Sequence, residues 1–101
     1  MSEKQFFVYR LVAPRPTFAF DMTDQERGVM GDHAAYWLRL IEGRTCVVFG
    51  PVLDPAGVWG LAVVEALSAD EVSALGRTDP AVASGTCTFE VLPMMGATAR
   101  G

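Results

Sequence analysis

The chain has 101 residues, half of them hydrophobic and one fifth charged, with a formal net charge of −4. That length fits one domain, and so large an apolar fraction excludes general disorder. The eight Lys and Arg residues are scattered rather than gathered into the basic patch of a nucleic-acid binder, and no apolar run approaches the roughly 20 residues of a membrane span.

Phe6 to Ala13 is rich in aromatic and branched residues and reads as a strand. Pro14 to Phe20 reads as a loop. Thr23 followed by Glu26 is a capping box, which starts a helix. Val29, Met30, His33, Trp37, Leu40 and Ile41 then recur at three- and four-residue steps, one face of an amphipathic helix. Gly43 stands where a left-handed C-cap is expected. Thr45 to Leu53 is the second strand, Asp54-Pro55-Ala56-Gly57 a tight turn, and Val58 to Ala66 the third strand, so these two form a hairpin. Ser68 to Glu71 is a second capping box. It opens a shorter helix that carries Val72 and Leu75 and ends near Gly76 to Thr78. Asp79-Pro80 restarts the chain for one helical turn to Gly85. Thr86 to Leu92 is the last strand, and residues 93 to 101 form a tail.

The order β-α-β-β-α-β predicts an α+β domain spanning residues 1–101 with its core at about 5–92. This is the ferredoxin-like split βαβ arrangement. Right-handed crossovers place both helices on one face of a four-stranded antiparallel sheet. The opposite face should then be polar in a monomer. Instead, Trp59, Leu61 and Val63 alternate with Val58, Ala62 and Val64 in the third strand. In the second, Val47 and Phe49 alternate with Cys46, Val48 and Val52. Both faces are apolar, which predicts a homodimer, or a larger oligomer, closed sheet against sheet. Met1 to Gln5 lacks the layout of a signal peptide. Cys46 and Cys87 read as reduced, buried thiols, so a cytoplasmic location is expected.

His33 is the only histidine. On a sheet-facing stripe it is either a proton-transfer group or a core residue bonded to a backbone carbonyl. A carboxylate on one ring nitrogen would favour the first reading, because it fixes the tautomer and stabilises the imidazolium. Asp79 is the candidate, although Asp before Pro is equally a cap for the turn that follows. Asp32 should point about a hundred degrees away from His33. Gly50-Pro51 is a strand terminus or the mouth of a pocket between sheet and helix. Tyr36 is a surface tyrosine or a polar handle at that pocket's rim. No Gly-rich phosphate loop, metal-ligand spacing or nucleophile elbow is present, so neither cofactor nor metal is expected.

The segment His33-Ala34-Ala35-Tyr36-Trp37-Leu38, with Leu40, Gly43 and Gly50-Pro51, resembles the first signature of the YciI-like (YCII-related) family. Asp79-Pro80, followed by Gly85 and a last strand, resembles the second. Together the matches run from Phe6 to Leu92. The resemblance implies a ferredoxin-like fold that dimerises through its sheets, with a site built on His33 and Asp79. The family is similar in fold to dimeric α/β-barrel proteins that include monooxygenases and muconolactone isomerases, and one relative is a dehydrochlorinase of chlorinated hydroxyhydroquinone. Pro93-Met94-Met95-Gly96 departs from the pattern by bringing no aromatic to close a pocket. The expected function is a cofactor-free lyase- or isomerase-like enzyme. His33 would be general base, Asp79 would orient it, and Tyr36, Gly50 and Pro51 would bind a small phenolic or aromatic substrate. The alternative is a non-enzymatic module for small-molecule binding or dimerisation, with His33 in the core. Oxygenase chemistry is a third reading, with no residue that singles it out.

Overall fold

A computed structural model describes residues 4–100. Met1 to Glu3, most of the segment read for a leader, and Gly101 at the end of the tail lie outside the described residues. The elements are β1 (Gln5–Val12), α1 (Phe18–Asp21), α2 (Asp24–Glu42), β2 (Cys46–Val52), β3 (Trp59–Ala66), α3 (Ala69–Thr78), α4 (Pro80–Ala83) and β4 (Thr88–Pro93). The four strands form one antiparallel sheet in the order β2-β3-β1-β4, a ferredoxin-like arrangement. Among the described residues no helix is long and apolar enough to cross a membrane.

The register sorts the strand residues into two faces, because successive side chains alternate. Phe49, Ala62, Tyr9 and Val91 form a row on the face that meets the helices, flanked by a row through Val64 and Phe7 and another through Gly60 and Leu11. Trp37 of α2 and Val72 of α3 pack into the same core cluster as Phe7, Tyr9 and Val64, so both helices cover this one face. Full burial of each such side chain is worth about 1.5–3 kcal/mol. The other face carries Val48, Val63, Val8 and Leu92 in one row and Val52, Trp59, Val12 and Thr88 in another. Val48 and Leu92 are each 50% exposed. Between these rows Arg10 lies with its guanidinium carbon 4.9 Å from the centre of the Trp59 ring.

Four local expectations need correction. The stretch Pro14 to Phe20 is not all loop, since Phe18 opens the one-turn helix α1. Gly43 ends α2 but is not left-handed (φ −80°); Arg44 is, at φ 65°. Arg44 N–H donates to the Ile41 carbonyl at 3.0 Å and Thr45 N–H to that of Leu40 at 2.9 Å. That is a Schellman ending with arginine at its left-handed position. The second capping box is half formed. Ser68 Oγ accepts from Glu71 N–H at 3.3 Å, but the Glu71 carboxylate accepts from Leu67 N–H at 2.7 Å rather than from Ser68. Finally, β2 bulges at Val47, because Cys46 pairs with Val64 while Val48 pairs with Val63. Cys46 therefore faces the core and Val48 faces outward, and the strict alternation expected for this strand fails. The strand lies at the sheet edge, where Pro51 is tolerated.

Candidate active site

The helix that carries His33 is anchored at its first turn. Thr23 Oγ1 accepts from Glu26 N–H at 3.1 Å and the Glu26 carboxylate accepts from Thr23 N–H at 2.9 Å, a complete capping box. His33 and Trp37, four residues apart, then share the face turned to the sheet.

Asp79 arrives from the opposite direction. Pro80 disfavours a helical conformation at the residue before it, so α3 stops and Asp79 is extended (φ −60°, ψ 125°). Its carboxylate becomes the N-cap of α4, with Oδ1 accepting from Ala81 N–H at 2.9 Å. That cap uses only part of the carboxylate. Trp37 Nε1–H donates to Oδ2 at 2.8 Å and the Tyr9 hydroxyl donates to Oδ2 at 3.0 Å. His33 Nδ1 lies 2.9 Å from Oδ1 and 3.0 Å from Oδ2. The capping and histidine-binding roles, set against each other on the sequence, coexist on one carboxylate.

Asp79 is fully buried (0% exposed), a costly place for a charge. Burial raises its pKa, but the bonds from His33, Trp37 and Ala81 more than offset this and hold the carboxyl below its ordinary value. Burial, then the neighbouring Asp79 charge, push the Tyr9 hydroxyl well above its ordinary value, so Tyr9 remains a donor. An ionised carboxylate only accepts, so the His33 proton is on Nδ1. The other ring nitrogen, Nε2, makes no hydrogen bond among the described residues.

A pocket of about 340 Å³ adjoins this cluster, and His33 lines it. Its walls are aromatic and aliphatic and include Tyr9, Phe18, Trp37 and Phe49, with Trp59 at the margin where its ring lies under Arg10. Gly50 and Pro51 lie on its lining. Tyr36 does not line it. The Tyr36 hydroxyl donates to the Leu75 carbonyl at 2.7 Å and lies 2.8 Å from Thr78 Oγ1, tying α2 to α3. Its ring packs edge-on against Trp37 at 5.7 Å, so its influence on the site passes through that indole. Tyr9 and Trp37 were legible only as apolar members of a strand and a stripe. The four-residue step from His33 to Trp37 was the one signal that the indole could share a partner with the imidazole.

The profile of the YCII-related domain matches residues 6–95. The chain belongs to the YCII-related family. No curated protein matches it at a significant level. The family match spans nearly the whole of β1 through β4, so it rests on the complete ferredoxin-like unit and not on one motif. Within this YCII-related domain the two sequence signatures converge, one delivering His33 on α2 and the other delivering Asp79 at the α3–α4 junction.

Proposed function

We propose that this YCII-related protein is a small lyase- or isomerase-like enzyme that moves a proton on a small aromatic or phenolic substrate. One observation carries the reading: His33 is held by a buried carboxylate through Nδ1 while Nε2 stays uncommitted beside an apolar pocket. The other polar groups of the lining are occupied or inert. Tyr9 and Trp37 donate to Asp79, Trp59 Nε1–H donates to Asp54 at 3.1 Å, and burial pushes the Cys87 thiol up to about 11. The volume lies at the small end of ligand pockets and suits a single ring.

In such a reaction Nε2 accepts a proton from a substrate C–H or O–H, and Asp79 stabilises the resulting imidazolium. For an elimination, the C–H electron pair becomes the new π bond as the leaving group departs with its electrons. For an isomerisation, Nε2 returns the proton to another carbon. Acid–base assistance of this kind is worth about 10²–10⁴ in rate.

The test is a panel of small phenols and chlorinated hydroquinones, followed by chloride release and by product mass. Wild-type turnover that His33→Gln abolishes is the expected result. Turnover unchanged in His33→Gln refutes the mechanism, and tight binding with ligand returned unaltered points to the binding-module alternative.

A homodimer closed over the outer sheet face belongs to the same proposal. Half-exposed Val48 and Leu92 on that face, with Val63 and Val8 between them and Leu61 in the next row, support it. A sedimentation mass of one chain at micromolar concentration refutes it.

A further inference from the structure

The pocket has one wall that does not belong to the core. Phe18 is 4% exposed, yet it lies outside the cluster of buried side chains that joins sheet and helices. Phe18, Ala19 and Met22 line the pocket, but α1 makes no close backbone contact with any other helix or strand. Two arginines tie this segment to α2: Arg27 Nη1 donates to the Met22 carbonyl at 2.7 Å, and Arg15 makes the larger network. Arg15 Nε donates to Asp21 Oδ1 at 2.8 Å and its Nη2 to the Asp21 carbonyl at 3.0 Å. Its two Nη groups grip the Glu26 carboxylate at 2.9 and 2.8 Å. The guanidinium carbon lies 5.3 Å from the centre of the Phe18 ring. Glu26 sits on the first turn of α2, the helix that carries His33.

On its other side the segment rests against the β2–β3 turn. Gly57 (φ +137°) comes so close that a Cβ there would stand 3.0 Å from Pro16 Cα. Val58 and Trp59, just beyond this turn, also line the pocket. Part of the pocket wall is thus made by two surface loops that touch at Pro16 and Gly57. The fastening is an ion-pair network in which Arg15 remains 34% exposed, and such pairs contribute little to stability. Segments held this way open well below the free energy of global unfolding.

We infer that Pro14 to Met22 is a movable wall of the pocket, latched to the His33-bearing helix by Arg15 and seated against Gly57. Its opening admits the ligand, and Phe18 and Met22 limit the size of what fits. The inference concerns access to the pocket proposed above and not the proton transfer, so it is tested without turnover.

The chain supplies its own probes. Cys87 lines the pocket and Cys46 is buried in the core away from it, at 5% and 4% exposure. Burial pushes both thiols up to about 11, so each is read as a ratio of variant to wild-type rate and not against the other. Iodoacetamide labelling at pH 8, resolved by peptide mass, gives the two rates. Arg15→Met keeps the aliphatic stem over Phe18 and removes the ion pairs. It should speed Cys87 labelling about two- to fivefold and leave Cys46 unchanged. Asp21→Asn, which retains the Glu26 pair, should give a smaller selective increase and serves if Arg15→Met does not fold. An unchanged Cys87 rate in the variants overturns the inference. So does equal acceleration of both thiols, which reports general loosening.

Discussion

Asp79→Asn separates a built polar cluster from a chance contact, because the replacement is nearly isosteric and its cost can be worked atom by atom. The carboxylate receives two donors that cannot become acceptors, the Ala81 N–H on Oδ1 and the Trp37 indole N–H on Oδ2. An asparagine offers one oxygen and one NH2 group. Whichever way the amide turns, one of those donors faces another donor. A buried donor left unsatisfied costs about 1–3 kcal/mol. Loss of the charge-assisted bond to His33 adds to this, and relief from burying a charge offsets part of it. The expected destabilisation is about 2–4 kcal/mol, a large share of the roughly 5–15 kcal/mol typical of a domain. Urea unfolding followed by tryptophan fluorescence measures it at pH 7. The difference should shrink in acid. The Asp79 carboxyl is held below 3.8 in the folded chain, so the unfolded chain binds its proton more readily. Its stabilisation is complete above about pH 5 and is lost as pH falls through 4 and below. A variant within 0.5 kcal/mol of wild type at pH 7, or a gap that does not shrink by pH 3, refutes the cluster as described.

Replacing His33 by Gln should leave folding intact and lower turnover of any identified substrate by about 10²–10⁴, read from kcat/KM. In 15N NMR of the neutral ring the His33 proton should sit on Nδ1, and Asp79→Asn should redistribute it toward Nε2; an unchanged tautomer would show that the carboxylate does not set it. Gly76→Ala places a Cβ 2.5 Å from the Phe89 ring, which stacks on Tyr9 at 5.3 Å. It should lower stability by about 1–3 kcal/mol in thermal unfolding. On the outer sheet face Leu61→Glu should convert a dimer to a monomer in sedimentation without changing the far-ultraviolet circular dichroism, and an unaltered mass argues against that interface.

Elements set by near neighbours were legible in the chain. The Thr23 and Glu26 box, the stripe from Val29 to Ile41 and the Asp54 to Gly57 turn depend on residues a few positions apart, and each formed. Topology followed, because four strands and two long helices in that order have few unknotted arrangements. The errors fell where local rules compete. Arg44 takes the left-handed position beside Gly43 because the two Schellman bonds close there, and Val47 bulges although its strand alternates cleanly on paper.

The side chains of the candidate site divide in the same way. His33 and Asp79 could be nominated from their types, but 46 positions separate them and only the packing of α2 against α4 brings Nδ1 to the carboxylate. Tyr36 had the right chemistry and went elsewhere, since the Leu75 carbonyl and Thr78 captured its hydroxyl. Tyr9 lies 70 positions from Asp79, so no local pattern could announce that bond. Sequence by itself determined the alternation of strands and helices, because propensity, capping and turn chemistry act over a few residues. Only the tertiary structure decided which donors surround Asp79 and which nitrogen of His33 stays free. Those are three-dimensional coincidences of side chains, and the burial that makes them strong exists only in the folded chain.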